Sequence, residues 1–272
     1  MTDLNFNTLV RRSCHALMQR RCDFAQPDSL KRSAIVFSPH QDDETLGCGG
    51  TILKKTQAGA PIKIVFMTDG SQSHSHVMSA KDLRKIRSNE ALAAAEKLGV
   101  ASKDVMFLNI TDGTLTHHKN MVIKKVKEIL LTTLPEEVFV PYRQDGVPDH
   151  NATCHIVVSA LKECGLRTTV YEYPVWFWCN WPWTNFAAQQ KQESSTLGHH
   201  WNTGLNWLKY FRHAVDIQDV LDLKRIALEQ HRSQMTRLIP DSGWSTLGDI
   251  AQGEFLQCFF QDYEFFYRYR LN

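Results

Sequence analysis

Ala34-Ile-Val-Phe-Ser-Pro-His-Gln-Asp-Asp-Glu-Thr-Leu-Gly-Cys-Gly-Gly50 is the stretch that decides the fold. Residues 34–37 are an apolar run, which predicts a short buried strand that ends at Ser38 and Pro39. A helical pattern begins at Glu44. One imidazole and three carboxylates therefore lie at the C-terminal end of a strand. Ligands bind at that edge in open α/β sheets.

The residue types at this corner predict a metal site. His40 and Asp43 can reach one ion, Asp42 lies between them, and zinc takes imidazole and carboxylate ligands. Because a catalytic zinc ion needs three protein ligands and an open position for water, a third ligand must come from elsewhere in the chain. The alternative is that Asp42 and Asp43 only cap a helix N-terminus. Capping alone leaves the imidazole and the repulsion between adjacent carboxylates unexplained.

The same stretch resembles a known family. Ser38-Pro-His-Gln-Asp-Asp-Glu44 is similar to the AHPDDE signature of the LmbE/PIG-L family of zinc-dependent de-N-acetylases, with Gln41 where the family usually has Pro. Three glycines follow early in the predicted helix, and each costs about 1 kcal/mol relative to Ala. We therefore predict that another segment approaches this backbone closely; the glycines are Gly47, Gly49 and Gly50. The resemblance extends over roughly residues 33–235.

Length and composition are those of an ordinary globular protein. The 272 residues are 43% hydrophobic and 22% charged, with a net charge of +2, which fits one large or two small domains. A dense basic block for nucleic acid and an apolar run of 18 residues for a membrane are both absent from the sequence. The seven cysteines lack C-x-x-C spacing and residues 1–23 lack the apolar core of a secretory signal, so we predict a cytoplasmic protein. The Arg-rich start fits either an organelle transit peptide or a helix that packs on the domain, and the oligomeric state, including a homo-oligomer, stays open.

Strand and helix patterns alternate along the chain. Strands are predicted at 34–37, 62–67, 105–110, 137–142 and 168–176, and helices at 44–58, 81–98, 120–131, 151–164 and 220–232. Because such crossovers produce parallel sheets, we predict the α/β class with a mostly parallel sheet. The resemblance implies the Rossmann-like three-layer α/β/α arrangement of the LmbE-like fold.

The domain organisation is predicted from the same patterns. Residues 1–30 are an N-terminal extension and residues 31–272 are one deacetylase-like domain. A Trp-rich insertion covers about 177–215, and its tryptophans either pack together or form a wall for the substrate. The aromatic-rich residues 255–269 predict one or two terminal strands.

A second motif follows the fourth predicted strand. Gln144-Asp-Gly-Val-Pro-Asp-His150 resembles the family's H-P-D-H signature. The resemblance makes His150 the third ligand beside His40 and Asp43, with Zn²⁺ as the cofactor, and Fe²⁺ suits a similar ligand set. Val147 stands where the family has a His that protonates the leaving amine or steadies the intermediate. Since Val can do neither, the general acid is left unassigned.

Further residues are predicted to contact the substrate, Val147 among them. Arg87 resembles the Arg of the family's Arg-x-x-Glu helix, which approaches the sugar; the alternative is an intrahelical pair with Glu90. His76 lies in a polar loop after a strand and either contacts the substrate or is solvated. His231 belongs to a stretch similar to the family's Lys…His-x-Ser-Gln element.

The resemblance implies a metal-dependent hydrolase that removes an N-acetyl or other acyl group from a small amino sugar or a glycoconjugate. Asp42, which is not a ligand, is then the general base and can also return the proton to the leaving amine, for which His76 and His231 are the alternatives. Val147 and Gln41 motivate one alternative, a carbohydrate-binding member that keeps the metal and has lost turnover. A metal-dependent phosphoesterase is the other alternative, for which the sequence has too few bridging carboxylates.

Overall fold

The structure, a computed structural model, describes residues 6–180, 183–184, 208–240 and 243–271. These residues form an eight-stranded sheet with the order β1-β7-β8-β6-β5-β2-β3-β4. Within them, β8 alone runs antiparallel to its neighbours, and the other strand pairs are parallel. The strands are β1 Asp23–Phe24, β2 Ala34–Ser38, β3 Ile62–Thr68, β4 Val105–Ile110, β5 Glu137–Pro141, β6 Thr168–Tyr173, β7 His213–Asp216 and β8 Tyr263–Leu271.

Helices cover both faces of this sheet. They are α1 Phe6–Arg21, α2 Pro27–Leu30, α3 Asp43–Gln57, α4 Ala80–Lys97, α5 Lys119–Thr133, α6 Pro148–Cys164, α7 Leu221–Leu228, α8 Arg232–Met235 and α9 Glu254–Gln257. Side chains of α3, α4 and α7 belong to one hydrophobic core and those of α5 and α6 to the other. Strand β2 contributes side chains to both cores, with Val36 on one face and Ile35 and Phe37 on the other. The predicted three-layer fold with a mostly parallel sheet is confirmed.

Several predicted element bounds differ from the structure. The prediction of strands from residue 255 onward is wrong at its start, because Glu254–Gln257 is helical and β8 begins at Tyr263. Phe255 and Phe259 are four residues apart and pack edge to face with 5.0 Å between ring centroids, which is helical spacing. Helix α6 begins at Pro148, three residues earlier than predicted, because Pro is favoured in the first turn.

Two short strands were not predicted, and part of the insertion is not described. β1 and β7 pair with each other at one end of the sheet, and β7 also pairs with β8. Most of the predicted insertion, including Trp181, lies outside the described residues. Two described tryptophans of the cluster, Trp178 and Trp183, pack edge to face with 4.8 Å between centroids.

The strand order places the two sequence motifs side by side. From β2 the chain continues to β3 on one side, while β5 pairs with β2 on the other side. The carboxyl ends of β2 and β5 therefore flank the point where the strand order reverses, which is the usual ligand site of open α/β sheets. No described helix is both long enough and apolar enough to cross a lipid bilayer.

Candidate metal centre and its cavity

The three predicted metal ligands converge at this edge. His40 lies between β2 and α3, Asp43 is the first residue of α3, and His150 lies in the first turn of α6. Their donor atoms all lie within 4.8 Å of one another. Asp43 Oδ2 is 3.2 Å from His40 Nδ1 and 3.2 Å from His150 Nε2. One carboxylate oxygen thus faces two imidazole nitrogens, an arrangement that a single cation can join.

Three further carboxylates orient the two imidazole rings. Asp145 Oδ2 lies 2.8 Å from His150 Nδ1. Asp112 Oδ1 and Asp149 Oδ2 lie 3.1 and 3.6 Å from His40 Nε2. Carboxylates in such positions fix the orientation of metal-binding imidazoles. None of the three was predicted, although Asp112 and Asp145 follow strands β4 and β5 closely and Asp149 adjoins a predicted ligand.

The electrostatics of this cluster favour a cation. Burial acts to lower the pKa of His150, but the charges of Asp43 and Asp145 outweigh it and raise this pKa to about 9. Burial likewise acts to lower the pKa of His40, which carboxylate hydrogen bonds raise well above its ordinary value. The buried Nε2 of His150 also makes no hydrogen bond of good geometry. Two imidazoles and a carboxylate in a field that favours positive charge fit Zn²⁺ or Fe²⁺.

Asp42 lies beside the three ligands in an unusual backbone conformation. Its φ of +145° is strained for a residue other than Gly, and its side chain makes no capping hydrogen bond. The alternative in which Asp42 only caps the helix is therefore wrong. Burial raises the pKa of Asp42 to about 6, although Arg87 acts in the opposite direction with its Nη2 atom 3.3 Å from Asp42 Oδ2. A carboxyl group that titrates near neutrality can both accept and return a proton.

Arg87 and Glu90 have separate partners. Arg87 donates hydrogen bonds of 2.6 Å to the Gln41 carbonyl and 3.3 Å to the Gly70 carbonyl. Glu90 instead accepts hydrogen bonds of 2.8 and 2.6 Å from the backbone N–H and the hydroxyl of Ser233. The alternative of an intrahelical Arg87–Glu90 pair is therefore wrong. Arg87 lies at the corner that carries Asp42, while Glu90 fixes the start of α8.

His231 is not brought to the cavity. It is completely buried, and its Nε2 atom lies 3.2 Å from Glu44 Oε1. The other carboxylate oxygen of Glu44 accepts a hydrogen bond of 3.1 Å from the backbone N–H of Asp42. His231 therefore contacts the Asp42 backbone only indirectly, through the Glu44 carboxylate. No local sequence pattern predicts the contact between His231 and Glu44, because these two residues are 187 positions apart.

A cavity of about 450 Å³ is lined by His40 and Asp43, two of the three predicted ligands. It brings together Asp42 and the predicted substrate contacts Arg87, His76 and Val147. The His76 ring donates a hydrogen bond of 2.7 Å to the Gly243 carbonyl. Its neighbour His74 donates one of 2.7 Å to the Ser245 carbonyl and stacks on Trp244. The loop after β3 is thereby joined to the segment before α9, and both contribute to the cavity wall.

Known proteins resemble this chain over the same motifs. Residues 35–161, which include all three ligands, match the family model described as GlcNAc-PI de-N-acetylase, PIG-L. The Bacillus cereus protein named "Probable N-acetyl-alpha-D-glucosaminyl L-malate deacetylase 2" is 29% identical over 219 residues, which are 78% of this chain and 88% of that protein. The diacetylchitobiose deacetylase of Thermococcus kodakarensis is 27% identical over 224 residues, which are 80% of this chain and 74% of that protein.

The fold agrees with these sequence matches. The N,N'-diacetylchitobiose deacetylase from Pyrococcus horikoshii superposes with a TM-score of 0.63 at 22% identity. The alignment covers 99% of this chain and 95% of that one. With both motifs inside residues 35–161, and with named relatives aligned over most of their length, the chain is similar to the PIG-L (LmbE-like) deacetylases.

Proposed function

We propose that this protein is a metal-dependent hydrolase that removes an N-acyl group from an amino sugar or a small molecule that contains one. The observation that carries the proposal is that Asp42 lines a cavity together with His40 and Asp43, whose donor atoms converge with that of His150. The relatives are named as deacetylases of glucosaminyl malate and of diacetylchitobiose. A cavity of about 450 Å³ is of the size that holds a small-molecule ligand.

In this proposal His40, Asp43 and His150 hold the ion, which is Zn²⁺ or, with a similar ligand set, Fe²⁺. When bound, such an ion polarises a carbonyl group and lowers the pKa of water toward neutrality. Asp42 accepts the proton of the water molecule that attacks the amide carbonyl carbon. When the C–N bond breaks, Asp42 gives that proton to the leaving nitrogen, so that the products are a carboxylic acid and an amine.

The remaining residues bind and orient in this proposal. Arg87 holds the Asp42 carboxylate from inside the protein and, with His76, presents polar groups to the sugar. Val147 contacts the substrate from the side of His150. His231 keeps Glu44, and through it the backbone of Asp42, in place. These roles rest on the cavity wall and the hydrogen bonds described above.

Asp42→Asn tests the proposal. We expect kcat for N-acetylglucosamine or diacetylchitobiose to fall by about 10²–10⁴-fold, because a general base and acid contributes that much to the rate. The bound metal, measured by elemental mass spectrometry, should stay at the wild-type level. Asp219→Asn is the matched control, since it removes an exposed carboxylate that pairs with Lys54, and it should keep wild-type turnover.

Other outcomes would contradict specific parts of the proposal. Loss of metal together with activity in Asp42→Asn would make Asp42 a ligand. A zinc-loaded or iron-loaded wild type that binds N-acylated amino sugars without releasing amine would be a binding protein. Cleavage of a phosphodiester without release of amine from any amide would make it a phosphoesterase.

A further inference from the structure

One part of the cavity wall is apolar, and it begins at the metal ligands. Leu46 lies three residues after Asp43, Val147 lies three residues before His150, and both line the cavity. The wall continues through apolar side chains that follow β6 or precede β8, namely Val175, Trp176, Leu247, Ile250 and Phe255. The Trp176 and Phe255 rings stack with 5.2 Å between centroids, so these two segments meet at the cavity.

This apolar wall is tied to the His150 side of the site. Asp145, whose carboxylate is 2.8 Å from His150 Nδ1, accepts hydrogen bonds of 2.9 Å from the backbone N–H groups of Val175 and Trp176. The side chain that orients a metal ligand therefore also positions the apolar wall. Val147, the N-cap residue of α6, adds a further apolar side chain to the wall.

Polar groups also line the cavity. Arg87 pairs with Asp42, and Asp112 contacts His40. The Gln72 backbone N–H donates a hydrogen bond of 3.1 Å to Asp112, which joins the loop after β3 to these groups. His74 from the same loop holds the Ser245 carbonyl. A ligand in the cavity therefore meets both hydrogen-bonding groups and hydrocarbon.

An N-acylated amino sugar carries polar hydroxyls on its ring and an apolar acyl chain on its amide. The sugar hydroxyls need hydrogen-bond partners, since a buried polar group without one is unfavourable. The acyl chain starts at the carbonyl carbon itself, whereas a group on the anomeric oxygen is several bonds away. An apolar wall that begins at the metal ligands is therefore within direct reach of the acyl chain. An acetyl group has a single methyl and would leave most of this wall in water.

We propose that the apolar wall binds the acyl chain and that the enzyme prefers amino sugars with acyl groups longer than acetyl, in the range from butyryl to octanoyl. This inference rests on the proposed N-acyl hydrolase function. Each additional buried CH₂ group is worth about a fourfold gain in kcat/KM when its transfer free energy is realised in the transition state. From N-acetyl to N-hexanoyl glucosamine we expect at least a tenfold gain, which allows for incomplete burial of the chain.

The experiment measures amine release by the zinc-loaded full chain from N-acetyl, N-butyryl and N-hexanoyl glucosamine. The variants Val147→Thr and Ile250→Thr place a hydroxyl in the apolar wall. The first keeps the side-chain volume nearly constant, and the second removes one heavy atom, as the control Leu223→Thr also does. We expect each to lower the hexanoyl-to-acetyl ratio of kcat/KM at least threefold. Leu223→Thr is the matched control, because Leu223 is an exposed apolar residue of α7 outside the cavity, and its ratio should equal that of the wild type. Thermal melting of each variant verifies that it is folded.

The outcomes separate this inference from the proposed function. Hydrolysis of N-acetylglucosamine at a rate equal to or above that of the longer substrates would overturn the inference and leave the hydrolase intact. Failure to release amine from every acyl glucosamine would overturn the proposed function as well. Octyl N-acetyl-β-glucosaminide serves as a further substrate. A gain in kcat/KM with that aglycone, without a gain along the acyl series, would place the aglycone on the apolar wall and overturn the inference.

Discussion

Val147 lies at the N-cap of α6, three residues before His150, with its side chain at the cavity. We predict that Val147→His introduces an ionisation between about pH 6 and 8, the usual range of an imidazole. Turnover of an N-acetyl substrate should be unchanged if Asp42 alone returns the proton efficiently, and faster, by up to about 10²–10⁴-fold, if a second general acid assists it. Turnover of the hexanoyl substrate should fall, because the new ring is polar. The pH dependence of kcat on both substrates measures these effects.

Val147→Leu is the control for this substitution, because it adds bulk without a titrating group. It should show no new ionisation. Should Val147→His abolish turnover of the N-acetyl substrate while the metal remains bound, the position does not accept an acid. His76, which lines the cavity and is exposed, would then be the general acid to examine. His231 has no access to the cavity from its buried position behind Glu44.

Gly47 confirms the predicted close approach of another segment to the start of α3. A Cβ atom at this position would lie 2.2 Å from Cδ2 of Tyr173. Tyr173 cannot yield, because it is fully buried and its hydroxyl donates a hydrogen bond of 2.9 Å to the Phe37 carbonyl. We predict that Gly47→Ala lowers the free energy of unfolding by about 1–3 kcal/mol, the usual effect of overpacking. Urea denaturation measures the change, and Gly248→Ala, with its nearest contact at 3.6 Å, should be close to neutral.

At the scale of elements, α3 is bent, and side chains from two other elements bind its backbone. Cys48 has non-helical dihedral angles of −147° and 20°. Lys224 from α7 donates a hydrogen bond of 2.9 Å to the Leu46 carbonyl, and Glu264 from β8 accepts one of 2.8 Å from the Gly50 backbone N–H. Lys224 and Glu264 are themselves paired at 2.8 Å in the interior. This buried pair therefore joins α3, α7 and β8 beside the helix turn that carries Asp43.

We predict that Lys224→Met lowers the free energy of unfolding by about 3–5 kcal/mol, because it leaves Glu264 charged in the interior without its cation. Lys54→Met is the matched control on α3, since Lys54 pairs at 2.8 Å with the exposed Asp219. That variant should lose no more than about 1 kcal/mol, the usual contribution of a surface ion pair. Guanidinium denaturation of both variants gives the comparison. Equal losses would show that the buried pair does not hold α3.

We propose, also at this scale, that residues 1–30 are an extension of a domain formed by residues 31–272, with the Trp-rich insertion at about 177–215. The two-residue strand β1 pairs with β7 at one end of the described sheet, which supports its description as an addition. Helix α1 packs on the domain, since Met18 is buried in the core and Arg11 pairs with Glu254 at 2.7 Å. Removal of residues 1–30 should therefore lower the melting temperature and retain metal binding.

For the molecule as a whole, stability depends on pH through His15 of α1. Its ring packs edge to face on Trp183 with 4.8 Å between centroids. Burial, assisted by Arg11, lowers the pKa of His15 to about 4. In the unfolded chain an imidazole titrates near about pH 6.5, so the unfolded state binds the proton first as the pH falls. The free energy of unfolding should therefore decrease between about pH 6.5 and 4, by at most about 3 kcal/mol from this residue.

His15→Phe removes the titrating group and keeps an aromatic ring against Trp183. We expect a smaller loss of stability between pH 7 and pH 4.5 than in the wild type, measured by urea denaturation at both values. His155→Phe, at an exposed position of α6, should retain the wild-type loss. A His15→Phe protein with the same pH dependence as the wild type would contradict the role of His15.

The sequence alone determined the α/β class, the mostly parallel sheet and the corner that carries His40 and Asp43, and the resemblance of a second motif to the family signature added His150. Hydrophobic periodicity and residue types at strand ends are local properties, which can be read from a single chain. Only the tertiary structure decided that Asp145 joins His150 to the apolar wall and that Glu90 binds α8 instead of Arg87. Such pairings depend on which distant segments pack together, and no local spacing encodes them. For the same reason β7 was not predicted, since only Ala214 and Val215 of its four residues are apolar and its strand conformation depends on the partners beside it.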